Sequence, residues 1–148
     1  MAQYNSDSFE GTSNLPTNSH GGMQMAHRSV ISFPKDTALV VGDKLVLGIL
    51  APGYVIDRVV ADTEGFANLK VSLTKHAALN QESVGTIATE ISLITAGQAQ
   101  ATLTAAEIKA RGANVPLFLV ATVTAAGTVV ANKEIGIRFE YRYRQVAY

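Results

Sequence analysis

The side chains best suited to acid–base or metal chemistry here are three histidines, His20, His27 and His76. They are widely spaced, none has a second ligand four residues away on a helix face, and no cysteine can complete a site. They read as solvated or hydrogen-bonded residues. Ser72 and Ser92 sit in strand-like runs, and no G-x-S-x-G turn is present to present a nucleophile. Gly42, Gly48 and Gly53 punctuate apolar runs without the Lys-Ser/Thr ending of a phosphate-cradling loop. Asp57, Asp62 and Glu64 are too sparse for a calcium loop, which needs a denser run of oxygen ligands, and read as a polar turn. Catalytic residues, cofactors and metals are therefore not expected, and neither is an enzyme.

What remains is the run Glu134 to Val146, EIGIRFEYRYRQV. Ile135, Ile137, Phe139, Tyr141 and Tyr143 alternate with Glu134, Arg138, Glu140, Arg142 and Arg144. Side chains on a strand point to opposite faces in turn, so this is a half-buried β-strand. It exceeds the usual ~5–6 residues. Arginines beside aromatics could bind single-stranded nucleic acid, where bases stack and guanidinium meets phosphate. On a strand, however, the tyrosines and arginines face opposite ways. A core face and a charged outer face explain the run more simply. Val59, Leu117, Leu119 and Val123 are expected to share that core.

The elements that would position this strand are short and β-like. Expected strands run from Ser29 to Phe33, Ala38 to Val41, Lys44 to Leu50, Tyr54 to Ala61, Ala67 to Leu73, Thr86 to Thr95, Ala99 to Leu103 and Val115 to Thr124. Within Tyr54 to Ala61, Val55, Asp57, Val59 and Ala61 are expected opposite Tyr54, Ile56, Arg58 and Val60. Gly42-Asp43, Ala51-Pro52-Gly53, Ala96-Gly97 and Ala125-Ala126-Gly127 supply turns, the last as a hairpin. Residues 74–85 fit either a helical turn at His76 to Leu79 or more strand. One helix is expected from Thr104 to Arg111: Thr104 and Glu107 have capping-box spacing, and Gly112 sits where a C-terminal glycine belongs. Short strands separated by Gly and Pro, without helix–strand alternation, predict an all-β fold: an antiparallel β-sandwich or barrel, jelly-roll-like, over 27–148.

Residues 1–26 differ in composition, rich in Ser, Asn, Gly and Thr. Such a stretch buries too little apolar surface to offset its ordering entropy. It reads as a flexible N-terminal arm: either a disordered tail or an arm that orders on a neighbouring subunit, with Tyr4, Phe9, Leu15, Met23 and Met25 as its anchors. With Arg138, Arg142 and Arg144 on the outer face, these are the candidate interface residues.

The composition fits one 148-residue domain that associates with others. It is 47% hydrophobic and only 16% charged, below the ~25% typical of soluble domains. Twelve basic residues balance twelve acidic ones, leaving no basic footprint for nucleic acid and little self-repulsion. The absence of cysteine excludes disulfides and thiolate sites. The start, MAQYNSDSFEGTSN, has no basic and apolar export signal, and the apolar run 38–52 is too short and polar to span a membrane.

The segments SDSFEGTSNLP, SHGGMQMAHRSVISF, LVVGDKLVLGILAPGYVIDRVVADTEG and IGIRFEYRYRQ, in that order, resemble the capsid decoration (cement) proteins of tailed bacteriophages. The strand–Pro-Gly–strand segment carries most of the likeness, which runs from about Met25 onward and is thinnest over 74–97. The resemblance implies a β-sandwich or barrel module that binds the major capsid protein. Such a module would sit as a homo-oligomer (dimer or trimer) on the capsid exterior, made in the host cytoplasm, with no nucleic acid or membrane partner. The alternatives are another phage structural part (tail, head-fibre or connector protein) or a carbohydrate-binding or adhesin β-module. The last is disfavoured by the absence of Trp and by 7% aromatics.

Overall fold

The computed structural model describes residues 2–7 and 24–144. The strands are β1 (Gln3–Asn5), β2 (Gln24–Phe33), β3 (Thr37–Leu39), β4 (Lys44–Leu50), β5 (Tyr54–Thr63), β6 (Lys70–His76), β7 (Ser83–Ser92), β8 (Gly97–Gln100), β9 (Leu117–Ala125), β10 (Gly127–Val129) and β11 (Lys133–Tyr143). One helical turn, α1 (Ala105–Ile108), lies between β8 and β9. The sheets have the orders β1-β4-β9-β6-β7 and β2-β11-β5-β8, with β3 and β10 forming a separate two-stranded ribbon. Every pairing is antiparallel except β1 with β4. This is the expected all-β sandwich; the sheets do not close into a barrel.

The core forms where the apolar faces of the two sheets meet. Leu45, Leu47, Leu119, Ala121 and Val123 come from one sheet; Ile31, Val59, Ile135, Ile137 and Phe139 come from the other. Leu117 is buried as well. On β11 the alternation holds from Ile135 to Tyr141 and then fails. Tyr143, expected in the core, is 43% exposed, and its ring packs over Gly53 and edge-on to Tyr54 at 5.8 Å. Val146 lies outside the described residues.

The strict alternation expected along β5 is also broken. Ile56 pairs with Tyr141 and Arg58 with Glu140, so Asp57 is an extra residue in a bulge. The bulge shifts the phase by one, which puts Ile56 and Val59 together in the core. One turn differs from expectation, and one open alternative is resolved. Residues after Ala125 do not fold back on β9; β10 pairs with β3 instead. Strand β6 runs through His76, so no helical turn starts there.

The chain itself bridges the sheets on both open sides. On one side, Ala101 N–H donates to Val59 O of one sheet, at 2.9 Å. Three residues on, Thr104 N–H donates to Ile87 O and its hydroxyl to Thr86 O of the other, at 2.9 and 2.7 Å. On the opposite side, β1 lies against β4, Ser6 N–H donates to Val46 O at 2.7 Å, and Asp7 accepts from the N–H of Val30 on β2 at 3.2 Å. Asp43 holds the start of this link: its two carboxylate oxygens accept from the N–H groups of Ala2 and Val40, each at 3.0 Å.

The helix is shorter than expected. Thr104 caps it, accepting from Glu107 N–H at 3.3 Å, as its spacing predicts. The other half of the capping box does not form, because the Glu107 carboxylate turns inward to Lys75 Nζ at 2.8 Å. The helix ends at Lys109, not at Gly112. Gly112 instead permits a close approach between loops. A Cβ there would collide with the backbone of Gly53, so the two loops touch only because this residue is glycine.

Candidate interaction surface

Of the candidates for chemistry, His76, Asp57, Asp62 and Glu64 are tied into the fold. His76 is buried, with Nε2 2.8 Å from the Thr74 hydroxyl and Nδ1 3.0 Å from Gln81 O. Among the described residues no group of three or more His, Cys, Asp and Glu is placed to hold a metal ion. His20 lies outside the described residues. Asp57, Asp62 and Glu64 do not converge; each bonds a different cation, Arg142, Arg28 and Lys133 respectively.

Those pairs belong to an ionic lattice on the outer face of β2, β11 and β5. Arg28 pairs with Asp62 and, at 3.2 Å, with Glu134; Arg58 reaches Glu140 at 3.4 Å; Arg142 reaches Asp57 at 3.0 Å. The hydrogen bond from Arg28 holds the Asp62 carboxyl below its ordinary value and raises the Arg28 guanidinium above its own. At the strand's start, the N–H of Glu134 and then Lys133 Nζ lower Glu64 in the same way. Arg138 stands in the middle of this face, opposite Arg28 on β2 and Val60 on β5. It is exposed and forms no ion pair among the described residues.

The expected interface residues fall into three places. Phe9, Leu15 and Met23 lie outside the described residues. Tyr4 and Met25 are half-buried against the chain's own core, with the Tyr4 ring 5.5 Å from that of Phe33. Arg138 and Arg142 are exposed on the outer face. Arg144 lies past the end of β11, where its N–H donates to Gly53 O at 2.8 Å and its guanidinium to Ile108 O at 3.1 Å.

Sequence reasoning missed the surroundings of Arg144. The exposed large apolar residues Val40, Val41, Ile94 and Val130 lie at the sandwich end where β11 starts. Val84, Ile108, Val115 and Tyr143 lie at the end where β11 finishes. A long helix through Arg111 would have hidden this grouping; the single turn α1 frees Lys109 and Arg111 to the surface beside Ile108. Nearby, an open groove of about 430 Å³ is lined by Asp57, Gln100, Ala101, Thr102, Leu103 and Ile108.

No family model and no curated protein sequence matches the chain. Among solved structures, the fold is similar to that of a chain in the capsid of Ralstonia phage GP4, with a TM-score of 0.75 and 19% identity. The match covers 97% of this chain and 99% of that one. At that identity the likeness is one of fold.

Proposed function

We propose that the protein is a structural virion component that binds the exterior of a phage capsid and stabilises it as a decoration protein. The observation that carries this reading is the end-to-end fold match with a phage capsid chain. The order of sequence segments that resembles decoration proteins supports the reading independently. The surface agrees too: among the described residues most charged side chains on the β2-β11-β5 face pair with one another, and the exposed large apolar residues lie at the two ends. A protein held by many repeated contacts on a lattice gains avidity without a deep site. In this reading the major capsid protein is the partner and copies associate as a dimer or trimer. Phe9, Leu15 and Met23 would engage a neighbour, and Arg138 and Arg142 would face it. The test is co-sedimentation of purified protein with particles that lack it, followed by cryo-electron microscopy. Added density of this shape on the outer shell, with raised thermal resistance of the particle, is the expected result. Density confined to a tail or portal would favour another phage structural role.

A further inference from the structure

We infer that the sandwich end formed by α1, the loop 109–116 and the close of β11 is the face that meets the shell, and that its partner is an acidic protein surface with an apolar centre. This rests on the capsid-binding reading above and specifies its contact. Lys109 and Arg111 are exposed, and Arg144 is half-exposed. Arg144 binds the carbonyl of Ile108, and Gly53 N–H binds Ala113 O at 2.9 Å, which draws the three cations together around the Gly53–Gly112 contact. None of the three forms an ion pair among the described residues, whereas on the neighbouring sheet face Arg28, Arg58, Lys133 and Arg142 do and Arg138 does not. Of the local acids, Asp57 pairs with Arg142 and Glu107 with Lys75, which leaves Glu82, beside Val84, as one carboxylate without an ion pair among the described residues against three such cations. In a chain of zero net charge, this end therefore carries surplus positive charge.

The same end exposes Ile108 at 64%, Val115 at 49% and Tyr143 at 43%. Arginine and tyrosine around an apolar centre are the residue types that dominate protein contacts. A nucleic-acid surface would leave Ile108 and Val115 without partners. The opposite end exposes valines as well, but Lys133 there is paired with Glu64 and Asp36 accepts from Ala131 N–H at 2.7 Å. Charge complementarity thus distinguishes the two ends.

The experiment is co-sedimentation of the full chain with particles that lack it, at two salt concentrations, using Lys109→Glu/Arg111→Glu, Ile108→Ser/Val115→Ser and the opposite-end control Lys35→Glu/Val40→Ser. All six positions are exposed, and circular dichroism melts confirm that each variant folds. Wild-type binding should weaken with salt, the charge reversal should lose about ten-fold or more in affinity, and the control should bind as wild type. Undiminished binding by both end-patch variants, with wild type bound, would overturn this inference and leave the capsid reading intact. Wild type failing to bind particles would overturn the capsid reading and this one with it. A single-stranded DNA 20-mer that binds wild type but not the charge reversal, with particle binding unchanged, would also overturn it.

Discussion

Arg28 on β2 reaches Asp62 on β5 across an entire intervening strand. It can do so because the residue it crosses on β11 is Gly136, where a Cβ would strike the guanidinium. Gly136 pairs with Val30 on one side and Asp62 on the other, so the missing side chain opens a lane over the central strand. Glu134, two residues before it on the same strand face, accepts a further hydrogen bond at 3.2 Å from the Nη2 that also donates to Asp62. Three strands are thereby joined by one side chain.

Breaking that link should be visible in acid. The folded Asp62 has a carboxyl pKa below its ordinary value, so its pairing stabilises the fold above about pH 4 and is lost as pH falls through the folded pKa. Arg28→Gln should raise the Asp62 pKa toward the ordinary range, and Gly136→Leu should do the same by displacing Arg28. Side-chain carboxyl NMR titration reads both. Being partly exposed, the pair is worth at most about 1 kcal/mol near neutral pH. An Asp62 titration indifferent to both changes would show that the pair does not form in solution.

Alkali should act through Tyr141. Burial, and then the nearby Tyr54, push its phenol up to about 12. A raised pKa means that stability is fully present below about pH 10 and is lost as pH rises from there through 12. Ultraviolet titration should show the Tyr141 phenol ionising only well above pH 10, as the fold opens.

The pair Lys75–Glu107 is the buried ionic contact that joins α1 to the sheet, with side chains 12% and 3% exposed. Lys75→Met alone should cost about 3–5 kcal/mol, because it strands a buried carboxylate whose Oε1 already lacks a partner. Lys75→Met with Glu107→Leu should recover most of the loss, since no buried charge remains. Urea unfolding of the two variants measures the difference.

Gly112→Ala should destabilise by about 2 kcal/mol or more, because the new methyl meets the Gly53 backbone, which cannot move without releasing Arg144. Gly85→Ala is the milder comparison: there the methyl lies 3.3 Å from the Cε of Lys75, a tight contact that a shift of a few tenths of an ångström relieves without moving backbone. A similar melting temperature for both variants would mean the loop contact is loose.

Sequence patterns local to one strand were legible. The bounds of β4 match the expected Lys44–Leu50, and Ile135 to Tyr141 alternate as read, because burial on one face writes a period of two into the residues themselves. Patterns that depend on a partner strand were not. The bulge at Asp57 is set by what Glu140 and Tyr141 require across the ladder. Gly127 looked like a hairpin turn because nothing near it marks β3, about ninety residues earlier, as its mate. Gly112 looked like a helix end because only tertiary contact reveals its approach to Gly53. The exposed arginines of β11 were readable from alternation. The basic end was not, because a helix drawn through Arg111 assigned Lys109 and Arg111 to a connector.

The bridges on the two open sides of the sandwich bear on how the protein survives before it meets any partner. A neutral, β-rich chain lacks the charge repulsion that keeps copies apart, and free strand edges would let it stack into fibrils at high concentration. Asp7 occupies the edge of β2 at Val30, Thr104 occupies that of β7 at Thr86 and Ile87, and the free edge of β8 is only four residues long. Edges occupied in this way offer little backbone for strand addition, so the folded chain resists stacking even though its net charge does nothing to keep copies apart.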